Sequence, residues 1–301
     1  MRQIVNSGLL GAMTKITLPG FNGEGETTPV HYIDTGEGDT LLFIHSPGQS
    51  LYTFRELIPC LEDRYRCVAP DLPGFGFSGR PVSFNYSMRE TGEAIVKIAQ
   101  ALEIKKAHLV GASLGALYAL EAARRAPELF DRLLLFCPGG LTKQMPAALR
   151  HMAAPIIGPV ARELYGKNGY RKALRTAYYD HTVCTDEVAE EYYKTADDYA
   201  SRQSFMYALR NFDEAHAFRG ANRLRKEIFL LWGAEDRWQP KDNMNRARDA
   251  MPVAYCYTVE NAGHFFWEEK AAQTAEMADK FFKFQREEEC SQNSDSETGS
   301  C

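Results

Sequence analysis

Six short apolar runs, separated by stretches with helical spacing, constrain the fold of this chain more than any other feature. They are TLLFIH (40–45), RCVAPD (66–71), AHLVGA (107–112), DRLLLFCP (131–138), EIFLLWGAED (227–236) and VAYCYTVE (253–260). Near-continuous apolar runs of this length suit strands buried on both faces, as in parallel sheets. Helical spacing falls at Tyr52–Leu61, Ser87–Leu102, Leu114–Arg125, Lys241–Ala250 and Trp267–Arg286. Ser87 followed by Glu90 resembles a capping box at the start of the second of these. Two earlier segments, Lys15–Pro19 and Pro29–Asp34, flank a Gly/Glu/Thr-rich stretch and predict an edge hairpin. The pattern predicts an α/β fold: a mostly parallel, doubly wound sheet of about eight strands with helices on both faces.

The rhythm stops between Leu141 and Lys226. No strand candidate occurs there, whereas helical patterns such as ALRHMA, RKALRTAYY and DEVAEEYYKTADDYA recur. Strands resume at Glu227, so the stretch reads as an insertion in one domain and not as a second domain. The expected division is a core of 1–140 and 227–287, a helical insertion of 141–226, and a polar, acidic tail of 288–301. That tail carries too little apolar surface to offset the entropy of ordering and is expected to be disordered.

Composition narrows the class. At 301 residues, with 45% hydrophobic and 25% charged residues, the chain can bury a core without metals or disulfides. A net charge of −5 gives no basic footprint for nucleic acid. No apolar run approaches the roughly 20 residues of a membrane span. The start, MRQIVNSGLLGAMTK, lacks the apolar core and cleavage site of a secretory signal. The seven cysteines are odd in number and scattered, with no CxxC and no zinc-ligand spacing to a histidine. Reduced thiols and a cytoplasmic location are expected, with no metal and no cofactor. The segment 74–79 satisfies G-x-G-x-x-G, but it follows Asp-Leu-Pro and runs into Arg80-Pro81, a loop context that excludes a dinucleotide site.

The chemistry centres on Gly111-Ala112-Ser113-Leu114-Gly115, which fits G-x-S-x-G at a strand-to-helix join. A serine hydroxyl is a weak nucleophile near neutral pH and needs a histidine base oriented by a carboxylate. In this architecture the chain order is serine, acid, histidine. Asp236 ends the run IFLLWGAED, and His264 follows VAYCYTVE in the loop Asn261-Ala262-Gly263-His264. Both open onto the sheet edge that Ser113 occupies, where open α/β sheets bind ligands. Standing alone, Asp236 reads equally well as a helix N-cap, and a lone loop histidine as a surface residue. Of the other histidines, His108 lies in a strand run, His31 in the hairpin, and His151, His181 and His216 in the insertion.

Taken together, these segments make the chain resemble the α/β-hydrolase fold family over nearly all of 28–286. Phe43-Ile44-His45-Ser46-Pro47-Gly48 is similar to the family's His-Gly-x loop, and Asp71-Leu72-Pro73-Gly74-Phe75-Gly76-Phe77-Ser78 to its D-x-P-G-x-G-x-S segment. Leu231–Asp236 is similar to its acid-bearing turn and Asn261–His264 to its histidine loop. The resemblance implies Ser113 as nucleophile, His264 as general base and acid, and Asp236 as orienting carboxylate. It implies that 141–226 is a helical cap inserted after the sixth strand, and that Asp71 is a conformational residue near the site mouth. Relatives that cleave carbon–halogen bonds use an aspartate where this chain has Ser113, which argues against dehalogenation.

One departure concerns the oxyanion hole. The resemblance implies two N–H donors, one from Leu114 and one from the residue after His-Gly. Here that residue is Pro47, which has no N–H, and Ser46 stands where the family has glycine. Ser46 or Gly48 is then the substitute, or the chemistry is other than ordinary ester hydrolysis; a one-residue slip in the comparison is the third alternative. Trp238 and Phe265 are candidate substrate contacts. The expected function is a serine hydrolase acting on a small or medium carboxylic ester or thioester through an acyl-enzyme. The alternatives are C–C bond hydrolysis or a lyase reaction with the same triad, and a ligand receptor on a hydrolase scaffold. The partner is a small acyl substrate; the sequence does not specify an oligomeric state.

Overall fold

The structure is a computed structural model that describes residues 12–19, 25–139, 158–196, 199–213, 218, 221–252 and 254–296. Eight strands form one sheet in the order β1-β2-β4-β3-β5-β6-β7-β8. These are β1 (Ala12–Pro19), β2 (Gly25–Thr35), β3 (Thr40–Ile44), β4 (Arg66–Pro70), β5 (Ala107–Ala112), β6 (Phe130–Phe136), β7 (Ile228–Gly233) and β8 (Tyr255–Val259). The β1–β2 and β2–β4 pairs are antiparallel and the other five are parallel. The hairpin and all six apolar runs therefore join one mostly parallel sheet, as the sequence predicts.

Every residue of β3 and β5 is buried, which is why both read as unbroken apolar runs. At the far edge β8 departs from that pattern. Tyr255 and Tyr257, two residues apart and so on one face of the strand, are 60% and 50% exposed. His108 of β5 is buried, its Nδ1 accepts the Arg132 N–H at 3.3 Å, and its ring stacks on Phe282. Burial pushes its pKa from the ordinary 6.5 down to about 4. It is thus neutral when folded, and its contribution to stability is complete above pH 6.5 and lost as pH falls towards 4. The linked loss amounts to about 3 kcal/mol. Urea titrations of His108→Asn, which keeps an acceptor but cannot titrate in this range, are expected to lack that part of the acid slope.

The helices flank the sheet: α1 (Met88–Ala101), α2 (Leu114–Arg125), α6 (Lys241–Ala250), α7 (Phe266–Glu269) and α8 (Ala271–Ser296). The Ser87 hydroxyl accepts the Glu90 N–H at 3.3 Å, and the Glu90 carboxylate accepts the Asn85 N–H. The helix expected at Tyr52–Leu61 is instead two 3-10 turns, Leu51–Phe54 and Ile58–Cys60. Pro59 lacks the N–H that would continue an α-helix there. The helix expected at Trp267–Arg286 is divided at Lys270, whose φ of −127° leaves the helical region. Its second part runs to Ser296, into the stretch expected to be disordered. Elongation from a formed helix requires no new nucleus.

Between β6 and β7 lie α3 (Gly158–Arg175), α4 (Asp186–Ala196) and α5 (Tyr199–Arg210). The RKALR of RKALRTAYY ends α3, and DEVAEEYYKTADDYA supplies α4 and the start of α5, whereas its residues 197–198 and all of ALRHMA fall outside the described residues. Cys60, Cys67, Cys137, Cys184 and Cys256 are free thiols. Among the described residues, no helix is long and apolar enough to cross a membrane.

Candidate active site

The G-x-S-x-G segment makes its turn where β5 ends and α2 begins. Ser113 adopts φ 55°, ψ −121°, a conformation an L-residue holds only under strain. Its N–H donates to the Phe136 carbonyl at 2.8 Å, tying the turn to β6. The flanking glycines are required by space. A Cβ on Gly111 would stand 2.5 Å from Ala116 Cα, and one on Gly115 would stand 2.3 Å from the Ile44 carbonyl oxygen. The start of α2 therefore presses directly on the end of β3.

Two further strand ends bring the partners. Asp236 follows β7 and is buried. One carboxylate oxygen accepts the Trp238 and Gln239 N–H groups at 2.8 Å each, and the other lies 2.7 Å from His264 Nδ1. On the far side of the ring, His264 Nε2 is 3.2 Å from Ser113 Oγ. The acid turn and the histidine loop are cross-bonded, since Glu235 N–H donates to the Ala262 carbonyl and Ala262 N–H to the Glu235 carboxylate. A Cβ on Gly233 would stand 2.0 Å from the Gly263 carbonyl oxygen, so the two loops lie in close contact. Ser113, Asp236 and His264, selected on order and placement, are thus brought into one hydrogen-bonded line.

The loop after β3 is also fixed. His45 is fully buried; its Nδ1–H donates to the Ser46 carbonyl at 2.8 Å and its Nε2 accepts the Leu72 N–H at 2.9 Å. Burial pulls its pKa down, so it stays neutral. The Gln49 N–H donates to the Ser46 carbonyl, and the Ser46 N–H reaches Gln49 Oε1 at 3.3 Å. Pro47 and Gly48 form the tip of this turn, with Gly48 at φ +77°. A Cβ on Gly48 would stand 3.1 Å from the ring of Phe205 in α5, so the insertion closes over the loop. Asp71 is buried beneath it, accepting from the Leu51 and Phe77 N–H groups and lying 2.8 Å from His31 Nδ1.

Of the two candidate substrate contacts, Phe265 is enclosed. Its ring packs within 6.0 Å of Tyr178, Tyr192, Trp238, His264 and Trp267. Trp238 lies 5.3 Å from the His264 ring and donates its indole N–H to Thr176 Oγ1 of the insertion at 2.9 Å.

Three groups at the site escaped the sequence. Cys137, the residue after β6, has φ +36° and places Sγ 3.4 Å from His264 Nδ1. Burial, then the neighbouring Asp236 carboxylate, pushes its thiol well above the ordinary range, and it sits as a neutral S–H aimed at the His264 carbonyl. Glu269 accepts the Gly263 and Asp180 N–H groups, fastening the histidine loop to the insertion. Glu268 is buried and accepts from Thr53, Tyr178 and Tyr192 hydroxyls while pairing with Arg55 Nη1 at 2.7 Å. Burial opposes the Arg55 charge, but Glu268 together with Tyr192, Tyr178 and Tyr52 outweighs it and holds the guanidinium well above its ordinary pKa. Spacing gives no sign of a contact joining residues 213 positions apart.

A doubly wound sheet with a serine elbow after β5, a buried carboxylate after β7 and a histidine after β8 defines a hydrolase class. The family model described as alpha/beta hydrolase fold matches residues 39–271, and the chain belongs to that family. It is 28% identical over 254 residues to the uncharacterized hydrolase YugF of Bacillus subtilis (strain 168), covering 84% of this chain and 93% of that protein. It is 25% identical to the 2-hydroxy-6-oxo-6-phenylhexa-2,4-dienoate hydrolase of Comamonas testosteroni, covering 84% and 91%. Among solved structures, a meta-cleavage product hydrolase from Pseudomonas fluorescens IP01 superposes with a TM-score of 0.72 at 27% identity, covering 90% of this chain and 98% of that one.

Proposed function

We propose that the protein is a serine hydrolase that cleaves a small or medium carboxylic ester or thioester through an acyl-enzyme. The observation that carries this reading is the unbroken line from Ser113 Oγ through His264 to Asp236. His264 Nε2 takes the Ser113 proton as Oγ attacks the carbonyl carbon, and returns it to the leaving group. Asp236, held by two backbone N–H groups, keeps the proton of neutral His264 on Nδ1 and stabilises the imidazolium that forms. Water activated by His264 then releases the acid. Leu114 N–H is one oxyanion donor. Gly48 N–H or the Ser46 hydroxyl is the substitute for the donor lost at Pro47, since the Ser46 N–H already faces Gln49. Helices α3 to α5 act as the cap, with Trp238 as the aromatic wall beside the base.

A second reading, C–C bond hydrolysis by the same three residues, is favoured by the dienoate hydrolase and meta-cleavage product hydrolase relatives. Initial rates on activated esters, thioesters and a 2-hydroxy-6-oxo-dienoate, for wild type and Ser113→Ala, separate the two. Ester or thioester turnover lost in the variant supports the first reading; turnover confined to the dienoate supports the second. Wild-type protein that turns over neither, and whose Ser113 is not labelled by a fluorophosphonate, would make a receptor role the better account.

Gly115→Ala tests the oxyanion wall. Its Cβ would stand 2.3 and 2.5 Å from the Ile44 and His45 carbonyl oxygens, which are backbone, so the start of α2 must shift. A misplacement of this kind is expected to lower kcat about 10²-fold, with little change in the affinity for a product acid. Unchanged kcat in steady-state assays would remove Leu114 from the oxyanion hole.

A further inference from the structure

Cys137, Asp236 and His264 place a thiol sulfur, a carboxylate oxygen and an imidazole nitrogen within 4.8 Å of one another. The residues lie up to 127 positions apart, so no ligand spacing in the sequence announces the set. We propose that this cluster is an inhibitory site for a thiophilic divalent cation such as Zn²⁺, captured by Cys137 Sγ, His264 Nδ1 and Asp236. The inference rests on the reading of His264 and Asp236 as base and orienting acid.

The geometry suits such an ion. Bonds of about 2.0 Å to nitrogen and oxygen and about 2.3 Å to sulfur, in a tetrahedral site, set N···S near ~3.5 Å and N···O near ~3.3 Å. The Sγ–Nδ1 separation is already 3.4 Å, and Nδ1–Oδ2 must open from 2.7 Å. Sulfur and imidazole ligands favour zinc, cobalt(II) and copper over magnesium and calcium. Binding releases one proton for each ion bound, that of the Cys137 S–H, while neutral His264 shifts its own proton from Nδ1 to Nε2 and gives the Nδ1 lone pair to the ion. It also takes Nδ1 from Asp236 and leaves Nε2 protonated, so that Nε2 can no longer accept the Ser113 proton. Without Cys137 only the two ligands of an ordinary His–Asp pair remain.

Cobalt(II) chloride is the probe, because it reports ligation independently of turnover. Wild-type protein is expected to bind one Co²⁺ with a sulfur-to-cobalt absorption band and tetrahedral visible bands. Zinc chloride is expected to displace it and to inhibit hydrolysis reversibly on EDTA addition, while magnesium chloride does neither. Ser113→Ala keeps all three ligands and should bind Co²⁺ like wild type despite losing turnover. Cys137→Ala, and the more conservative Cys137→Ser should the first fail to fold, are expected to lose the sulfur band and to weaken Zn²⁺ at least about tenfold. Absence of the sulfur band in wild type, or its persistence in both Cys137 variants, overturns the proposal. A Co²⁺ complex in protein with no hydrolase activity leaves the metal site standing and removes the hydrolase reading. Active protein without the band does the reverse.

Discussion

Ser113→Ala is expected to lower kcat by about 10⁴–10⁶-fold, since removing a serine nucleophile abolishes the acyl-enzyme route and leaves only binding and oxyanion contributions. Urea unfolding should change little, because the hydroxyl has its partner at 3.2 Å in a single histidine. Ser113→Gly separates function from strain. Glycine adopts φ 55°, ψ −121° without the steric penalty of a Cβ, and the elbow stores strain on the order of 1–3 kcal/mol. That variant should be equally inactive yet unfold at a higher urea concentration than Ser113→Ala. Retained ester turnover in both would show that Ser113 is not the nucleophile. Equal unfolding midpoints would show that the turn carries no strain.

Glu268→Ala should be the most destabilising single substitution on the insertion side of the site. It leaves the buried Arg55 guanidinium with only the half-exposed Glu56 carboxylate, 3.4 Å from Nε, as counter-charge and strips a partner from the Thr53, Tyr178 and Tyr192 hydroxyls. Breaking a buried pair in this way costs about 3–5 kcal/mol. Replacing both partners together, Arg55→Met with Glu268→Leu, removes the stranded charge and should recover most of the loss, as apolar replacements of buried pairs often do. A Glu268→Ala midpoint close to wild type in urea titrations would show that water or another group satisfies Arg55. Because Tyr178 lies on the chain just after α3 and Tyr192 in α4, the same variant should loosen the insertion from the core. Faster proteolysis between 158 and 210 would report that loosening.

The sheet was legible because its signal is local. Burial on both faces makes β3 and β5 continuous apolar runs, and the turn at Ser113 needs glycine at two fixed offsets for lack of space. The partners Asp236 and His264 were legible for a related reason, since each follows a strand whose end must open on the same edge. Where a single residue decides, spacing misleads: Pro59 divides the expected helix at Tyr52–Leu61 into two short turns. Trp238 and Phe265 look alike in the sequence, but Phe265 is buried among five aromatic rings whereas Trp238 is tied by its indole N–H to Thr176 of the insertion.

Periodicity and turn chemistry alone determined the α/β architecture, the elbow at Ser113 and the order of the residues that meet there. These depend on how each residue relates to neighbours a few positions away, and such relations are written in the chain. Only the tertiary structure decided that Cys137 touches His264, that Glu268 pairs with Arg55 beneath the insertion, and that Gly48 lies under Phe205. Those contacts join residues far apart in sequence, and their distances are set by how helices and strands pack, not by any local preference of the residues themselves.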